Sequence, residues 1–176
     1  EAPSLKLLQG PEKPWSALDV GQKVRSNIAG NFTGRTHLYV YENNDVLPRF
    51  FLADRLRVFE SGATVLDALA AAGLDDLRRT AFVERAMLPP PLTENVGLSS
   101  GTVSLSLYEA DRIRLSLDMK GASVLIGTNS YSPFWRAFVD GFETPLFPAD
   151  HAFWGIYLPQ DAKTVELLYD PPYRLF

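Results

Sequence analysis

The residues that could do chemistry are few. The chain has two histidines, His37 and His151, and no cysteine. Asp150-His151 has the residue types of an acid and base pair, but neighbours in sequence do not normally face each other. No motif-bearing Ser completes a triad with them. Asp75 and Asp76 have the types of a glycosidase pair, but a solvated connector at the end of a helix is the better explanation of them. No His or carboxylate cluster has ligand spacing, and no glycine-rich loop is built to cradle phosphate, so no metal or cofactor is called for. What stands out instead is aromatic. Tyr131, Phe134, Trp135, Phe153, Trp154 and Tyr157, with Arg136 and His151, occupy two stretches that hairpin pairing should bring together. Rings beside polar side chains suit sugars, whose C–H-rich faces stack on aromatic faces. Strand-borne rings such as Trp135 and Phe153 alternatively alternate inward as core. The loop rings Tyr131 and Phe134 are the ones expected to be exposed.

Composition narrows the setting. The chain has 176 residues, 46% of them hydrophobic and 22% charged, which fits one globular domain, or a domain with a smaller appendage, and a core that needs no staples. Absence of cysteine excludes a disulfide framework and thiolate metal sites. A formal charge of −4, from 17 basic and 21 acidic side chains, does not describe a nucleic-acid surface. No apolar run approaches the roughly 18 to 20 residues that cross a bilayer as a helix. Glu1-Ala2-Pro3-Ser4 lacks the features of a signal peptide, and a start at Glu suggests a piece of something longer.

The elements that would position these groups read as mostly β. Ser123 to Gly141 reads as two strands joined by an aromatic, proline-marked loop, with an Asp140-Gly141 turn after the second. Val103, Leu105 and Leu107, then Ile113, Leu115, Leu117 and Met119, alternate with polar residues around Glu109-Ala110-Asp111, which predicts an antiparallel hairpin with one buried face. Burying each apolar side chain contributes about 1.5 to 3 kcal/mol, against about 1 to 2 kcal/mol per residue for ordering backbone. A second sheet must therefore cover the hairpin. Strands expected at 124–127, 135–139, 153–158 and 164–169 can supply it.

Upstream, Leu5 to Leu8, Val20 to Asn27, His37 to Tyr41 and Leu47 to Leu52 are candidate strands, with a turn over Glu42 to Asp45. Thr64, as a cap with Asp67 three residues later, and Gly73, as a stop, predict a helix with Val65, Leu66, Leu69 and Ala72 on one face. Ala81 to Val83 is a brief strand. Pro89-Pro90-Pro91 is the best candidate for a boundary. The predicted fold is thus an antiparallel two-sheet β-sandwich, jelly-roll-like, with one or two short helices. It is expected as a single soluble domain over 1–176, with an N-terminal part, 1–88, and a sandwich part, 92–173. Asn31-Phe32-Thr33 matches a glycosylation sequon, a match common by chance.

The runs Asn129 to Gly141, Pro145-Leu146, Ala149 to Pro159 and Val165 to Tyr169 resemble the C-terminal extracytoplasmic domain of YfhO-type bacterial multi-pass membrane proteins. The shared pattern is a Tyr shortly before a Trp, an Asp-Gly turn, an aromatic-rich return strand and a last strand ending in Tyr and Pro. Leu47-Pro48-Arg49-Phe50 and Thr80 to Glu84 look like its upstream part. The resemblance covers roughly 46–173, and its last third is specific. Phe134 stands where the family usually has Gly, and Gln160-Asp161-Ala162 replaces a more usual Ala-Gly-Glu.

The resemblance implies a location on the extracytoplasmic face of a bacterial membrane and a parent membrane region as partner. It also implies a parent similar to glycosyltransferases that use lipid-linked sugars to decorate surface polymers. The family's presumed catalytic acids lie outside the matching region, so no catalytic residue carries over and this segment is not expected to be an enzyme. The expected contact residues for cell-surface glycan or a protein partner are Tyr131, Phe134, Trp135, Arg136, His151 and Trp154. A free-standing carbohydrate-binding module and a structural or protein-interaction domain are the alternatives.

Overall fold

The structure is a computed structural model that describes residues 5–9, 40–43, 45–94 and 96–172. The chain divides into two compact units, Glu1–Val46 and Leu47–Phe176. In the first, β1 (Leu5–Gln9) pairs antiparallel with β2 (Val40–Asn43). The strand expected at Val20 to Asn27 and the sequon lie outside the described residues, as does most of His37 to Tyr41. Glu42 and Asn43, expected in a turn, belong to β2.

The second unit is a β-sandwich. Its described strands are β3 (Phe50–Ala53), β4 (Arg55–Phe59), β5 (Thr80–Glu84), β6 (Gly101–Tyr108), β7 (Arg112–Met119), β8 (Ser123–Ser130) and β9 (Trp135–Val139). Then follow β10 (Phe142–Thr144), β11 (Leu146–Ala149), β12 (Phe153–Leu158) and β13 (Thr164–Tyr169). Five strands form one sheet in the order β10-β9-β13-β7-β6, and four form the other in the order β11-β12-β8-β3, each antiparallel throughout. The chain passes between the sheets from β7 to β8, β8 to β9, β10 to β11 and β12 to β13. The two strands of Ser123 to Gly141 therefore lie in different sheets. Of the strands expected to cover the β6–β7 hairpin, β8 and β12 do so, whereas β9 and β13 extend the hairpin's own sheet.

The main core fills the space between the sheets. Ile113, Leu115, Leu117, Met119, Val139, Val165 and Leu167 from one side meet Phe50, Leu52, Leu125, Trp154, Ile156 and Leu158 from the other. The alternation predicted for β7 is realised without exception, since Ile113, Leu115, Leu117 and Met119 are all buried. That of β6 is not. A bulge shifts the register between Leu105 and Leu107, so Leu107 sits opposite Arg114 on the outer face and Tyr108 sits opposite Ile113. Leu105 is opposite Leu115 but remains 51% exposed.

A third layer covers the back of the four-stranded sheet. β4 and β5 pair in parallel, and the connection between them carries α1 (Gly62–Ala71) and α2 (Leu74–Leu77). Parallel neighbours require such a crossover, a unit absent from the all-antiparallel expectation. Ala81 and Val83 of β5, with Leu92, pack on Phe51, Val124, Ile126, Phe147 and Ala149. Both faces of β3 and β8 are covered in consequence, which explains their continuous apolar runs. The polyproline run lies within this unit, and Leu92 just after it is buried in the second core. The division between units falls at Val46 and Leu47 instead.

Helix α1 starts earlier than the sequence pattern indicated. Ser61 is the cap, Thr64 is the third helical residue, and the two side chains and backbone amides bond reciprocally. Val65 alone of the predicted face is buried, with Leu66 exposed. The connector after Gly73 forms the short helix α2.

Candidate functional site

The loop between β8 and β9 carries the exposed rings. The Tyr131 N–H donates to the Ala152 carbonyl at 2.8 Å and the Trp135 N–H to the Ser132 carbonyl at 3.2 Å, while the Phe134 carbonyl accepts from the Asp170 N–H at 2.9 Å. These bonds tie the loop to the β11–β12 loop and to the residue after β13. Tyr131 and Phe134 are among the exposed large hydrophobics, as expected. Trp135 opens β9 opposite Tyr169 of β13, their ring centroids 5.1 Å apart and tilted by 50°. Phe134 meets the same Tyr169 edge-on at 6.4 Å. Trp135 is half-buried, one part of it packed on the main core.

Beside these rings Arg136 points out from β9. Its Nε and Nη2 donate to the two Glu143 carboxylate oxygens at 2.9 and 2.8 Å, and Nη1 lies 3.9 Å from Asp170. The guanidinium also stands 5.4 Å from the Phe138 ring centroid. The hydrogen bonds with Arg136 hold the Glu143 carboxyl below its usual range, outweighing desolvation, and the charge of Arg136 adds to the effect. The paired guanidinium is correspondingly pushed up by the same contact with Glu143. Tyr131, Pro133, Trp135, Arg136, Glu143 and Leu146 line one open groove of about 540 Å³. On its other side Arg136 borders a second groove of about 500 Å³ with Glu109, Asp111, Arg112, Leu168 and Asp170. Arg136 is the shared wall.

The remaining predicted residues are elsewhere. Trp154 is 1% exposed and belongs to the main core, so it offers no ring to a ligand. It sits on β12 opposite Gly127 of β8, where strand alternation turns it inward. His151 is exposed in the β11–β12 loop at φ 68° and lines a separate small cavity of about 130 Å³ with Gly62, Val65, Phe82, Glu84, Met87 and Pro148. Asp150 does not serve His151. Its Oδ1 accepts from the Phe82 N–H at 2.9 Å and its own N–H donates to the Phe82 carbonyl at 2.8 Å, clamping the loop to β5. Burial pushes the Asp150 carboxyl up to about 6, against the lowering effect of the Phe82 N–H. Among the described residues there is no group of three or more His, Cys, Asp or Glu placed to hold a metal.

Asp140 and Gly141 form the expected tight turn, with φ 49° and 86° between the paired Val139 and Phe142. The turn does more than reverse the chain. The Asp140 carboxylate accepts from the Lys163 and Thr164 N–H groups, the latter at 2.8 Å, and from the Thr164 hydroxyl at 3.0 Å. Desolvation works against its ionisation, but these donors and the Lys163 charge together hold it below the usual carboxylate range. The turn fixes which residues flank Arg136. With Val139 opposite Phe142 and Phe138 opposite Glu143, Arg136 lies diagonal to Glu143. Glu143 was therefore within reach of sequence reasoning once the Asp-Gly turn was accepted. Asp170 and Arg112 depend on the β9-β13-β7 strand order, which no local pattern signals.

No family model, curated protein or solved structure matches this chain.

Proposed function

We propose that the Leu47–Phe176 unit is a glycan-contacting β-sandwich, the extracytoplasmic domain of a bacterial membrane protein of envelope polysaccharide glycosylation. The observation that carries the binding reading is the groove of Tyr131, Trp135 and the Arg136–Glu143 pair. Two rings offer apolar faces for sugar C–H groups, and next to them a fixed guanidinium and carboxylate offer donors and acceptors for hydroxyls. A groove this open suits a chain passing along it. The extracytoplasmic location and the glycosyltransferase-like parent rest on the YfhO-type resemblance of residues 46–173. In this reading the segment holds or orients acceptor polymer, and bond-making belongs to the parent membrane region.

The test is titration of the chain with envelope oligosaccharides while following tryptophan emission. The expected result is a saturable change that Tyr131→Ala weakens at least tenfold, with Trp135→Phe removing the signal. An unchanged response in both variants would contradict the proposal.

A further inference from the structure

The sheet edges of the larger unit are closed off in different ways. β10 is three residues long, β11 carries Pro148, β4 carries Arg55 and Arg57, and β3 is buried throughout. Short length, proline and charge are the usual guards of a free edge. β6 has none of these three, and its one bulge, a guard of another kind, falls after Leu105. Its eight residues, Gly-Thr-Val-Ser-Leu-Ser-Leu-Tyr, include no charge and no proline, and among the described residues they pair on one side only, with β7. The bulge after Leu105 leaves Gly101–Leu105 as a regular ladder. On that stretch Thr102 and Ser104 are exposed, and Leu105 is 51% exposed although its register places it on the core side.

We propose that this edge pairs antiparallel with the same strand of a second copy of the chain, joining the two five-stranded sheets across a twofold axis. A twofold contact sets each residue against itself or a near neighbour, so a charged strand would bring like charges together. β6 brings none. In a register centred on Val103, Thr102 faces Ser104 of the second copy, a hydroxyl pair that cross-strand neighbours favour. Leu105 then faces Gly101 of the second copy. That glycine cannot carry a side chain of its own, because a Cβ there would come within 2.8 Å of the Asp118 carbonyl and of Met119, and 2.9 Å of Leu52. Leu105 of each copy then lies against the side-chain-free backbone of the other's Gly101, which gives the half-exposed leucine cover.

The test is sedimentation equilibrium of the whole chain over a wide concentration range, with circular dichroism as a check of folding. Ser104 is exposed and lies diagonal to its own counterpart across the axis in this register, so its substitutions do not touch the core. The wild type is expected to form a reversible dimer, and Ser104→Lys and Ser104→Glu each to weaken it at least tenfold through like-charge opposition. An equimolar mixture of the two variants is expected to recover association. A wild type that stays monomeric throughout would overturn the proposal, and so would a dimer that natively folded Ser104→Lys leaves intact.

Discussion

Trp154 of β12 lies directly against Gly127 of β8, its cross-strand partner, so closely that a Cβ at Gly127 would come 2.2 Å from the indole Cζ2. Phe50 of β3 is paired to the other side of the same glycine, with its ring 5.8 Å from the indole. The opposite face of the sheet repeats the arrangement, with Phe147 of β11 over Gly155 of β12. Two aromatic residues are thus seated by two glycines, one on each face. This is the packing that turns Trp154 from a surface candidate into the centre of the main core.

Gly127→Ala is expected to destabilise the second unit by about 2 to 4 kcal/mol, because the rigid ring and the sheet backbone both resist the added methyl. Gly97→Ala is the control, since among the described residues nothing lies within 4 Å of a Cβ there. Urea unfolding of both variants checks the difference. Equal midpoints would show that the Trp154 ring can move aside.

Asp150 makes stability depend on pH. Its folded value, about 6, is above the ordinary 3.8, so the folded form holds the proton more tightly across that window. The stability this lends is complete below about pH 4 and is lost as pH rises through 6. Asp150→Asn keeps an oxygen for the Phe82 N–H and tolerates the φ of 48°. It is expected to be more stable than wild type by about 1 to 3 kcal/mol at pH 7, with little difference at pH 4. Urea midpoints between pH 4 and 8 test this, and parallel curves for the two proteins would reject it.

Asp140 works in the opposite sense. Its folded value is below 3.8, so its contribution is present at neutral pH and lost as pH falls through the folded value. Asp140→Ala removes the acceptor of the Lys163 and Thr164 N–H groups and leaves alanine at φ 49°. The expected loss is about 2 to 3 kcal/mol from the hydrogen bonds and the strained backbone together, whereas Asp140→Asn, which suits the turn, should lose less. Thermal melts of the two variants separate them, and equal losses would assign the whole effect to the charge.

Arg136 is expected to matter for ligand and little for folding. Its pair with Glu143 is about half exposed on both sides, and solvent screens such pairs so that they add little to stability. Arg136→Ala should unfold at close to the wild-type urea midpoint while losing most glycan affinity. Arg136→Lys keeps the charge without the forked contact and should recover only part of it. A large drop in the urea midpoint of Arg136→Ala would instead make the pair structural.

The parts of the fold legible in the sequence are those where one local rule acted alone. β7 alternates cleanly because it is an interior strand with a single buried face, and the Asp140-Gly141 turn is written in two residues. β6 has the same alternation on paper, yet one extra residue, Ser106, reverses its faces after Leu105, and nothing in the Ser-Leu-Ser-Leu repeat marks where a bulge falls. Helix α1 was displaced by three residues because Ser61 and Thr64 are both competent caps, and the hydrophobic pattern does not choose between them. The parallel β4–β5 pair was hidden by continuity, since Arg55–Phe59 follows β3 after a one-residue break at Asp54. For the site, Tyr131, Trp135 and Arg136 could be grouped because they share one loop and strand start. His151 and Trp154 are three residues apart but serve different layers, a separation set by the four-stranded sheet being covered on both faces.

Glycan contact at the groove is tested by recording indole N–H resonances of the chain by nitrogen-15 correlation spectroscopy during titration with envelope oligosaccharides, assigning Trp135 and Trp154 by substitution. A saturable shift of the Trp135 indole is expected with the Trp154 indole unmoved, because one lines the groove and the other is sealed in the core. A Trp135 resonance that stays fixed throughout the titration would contradict it.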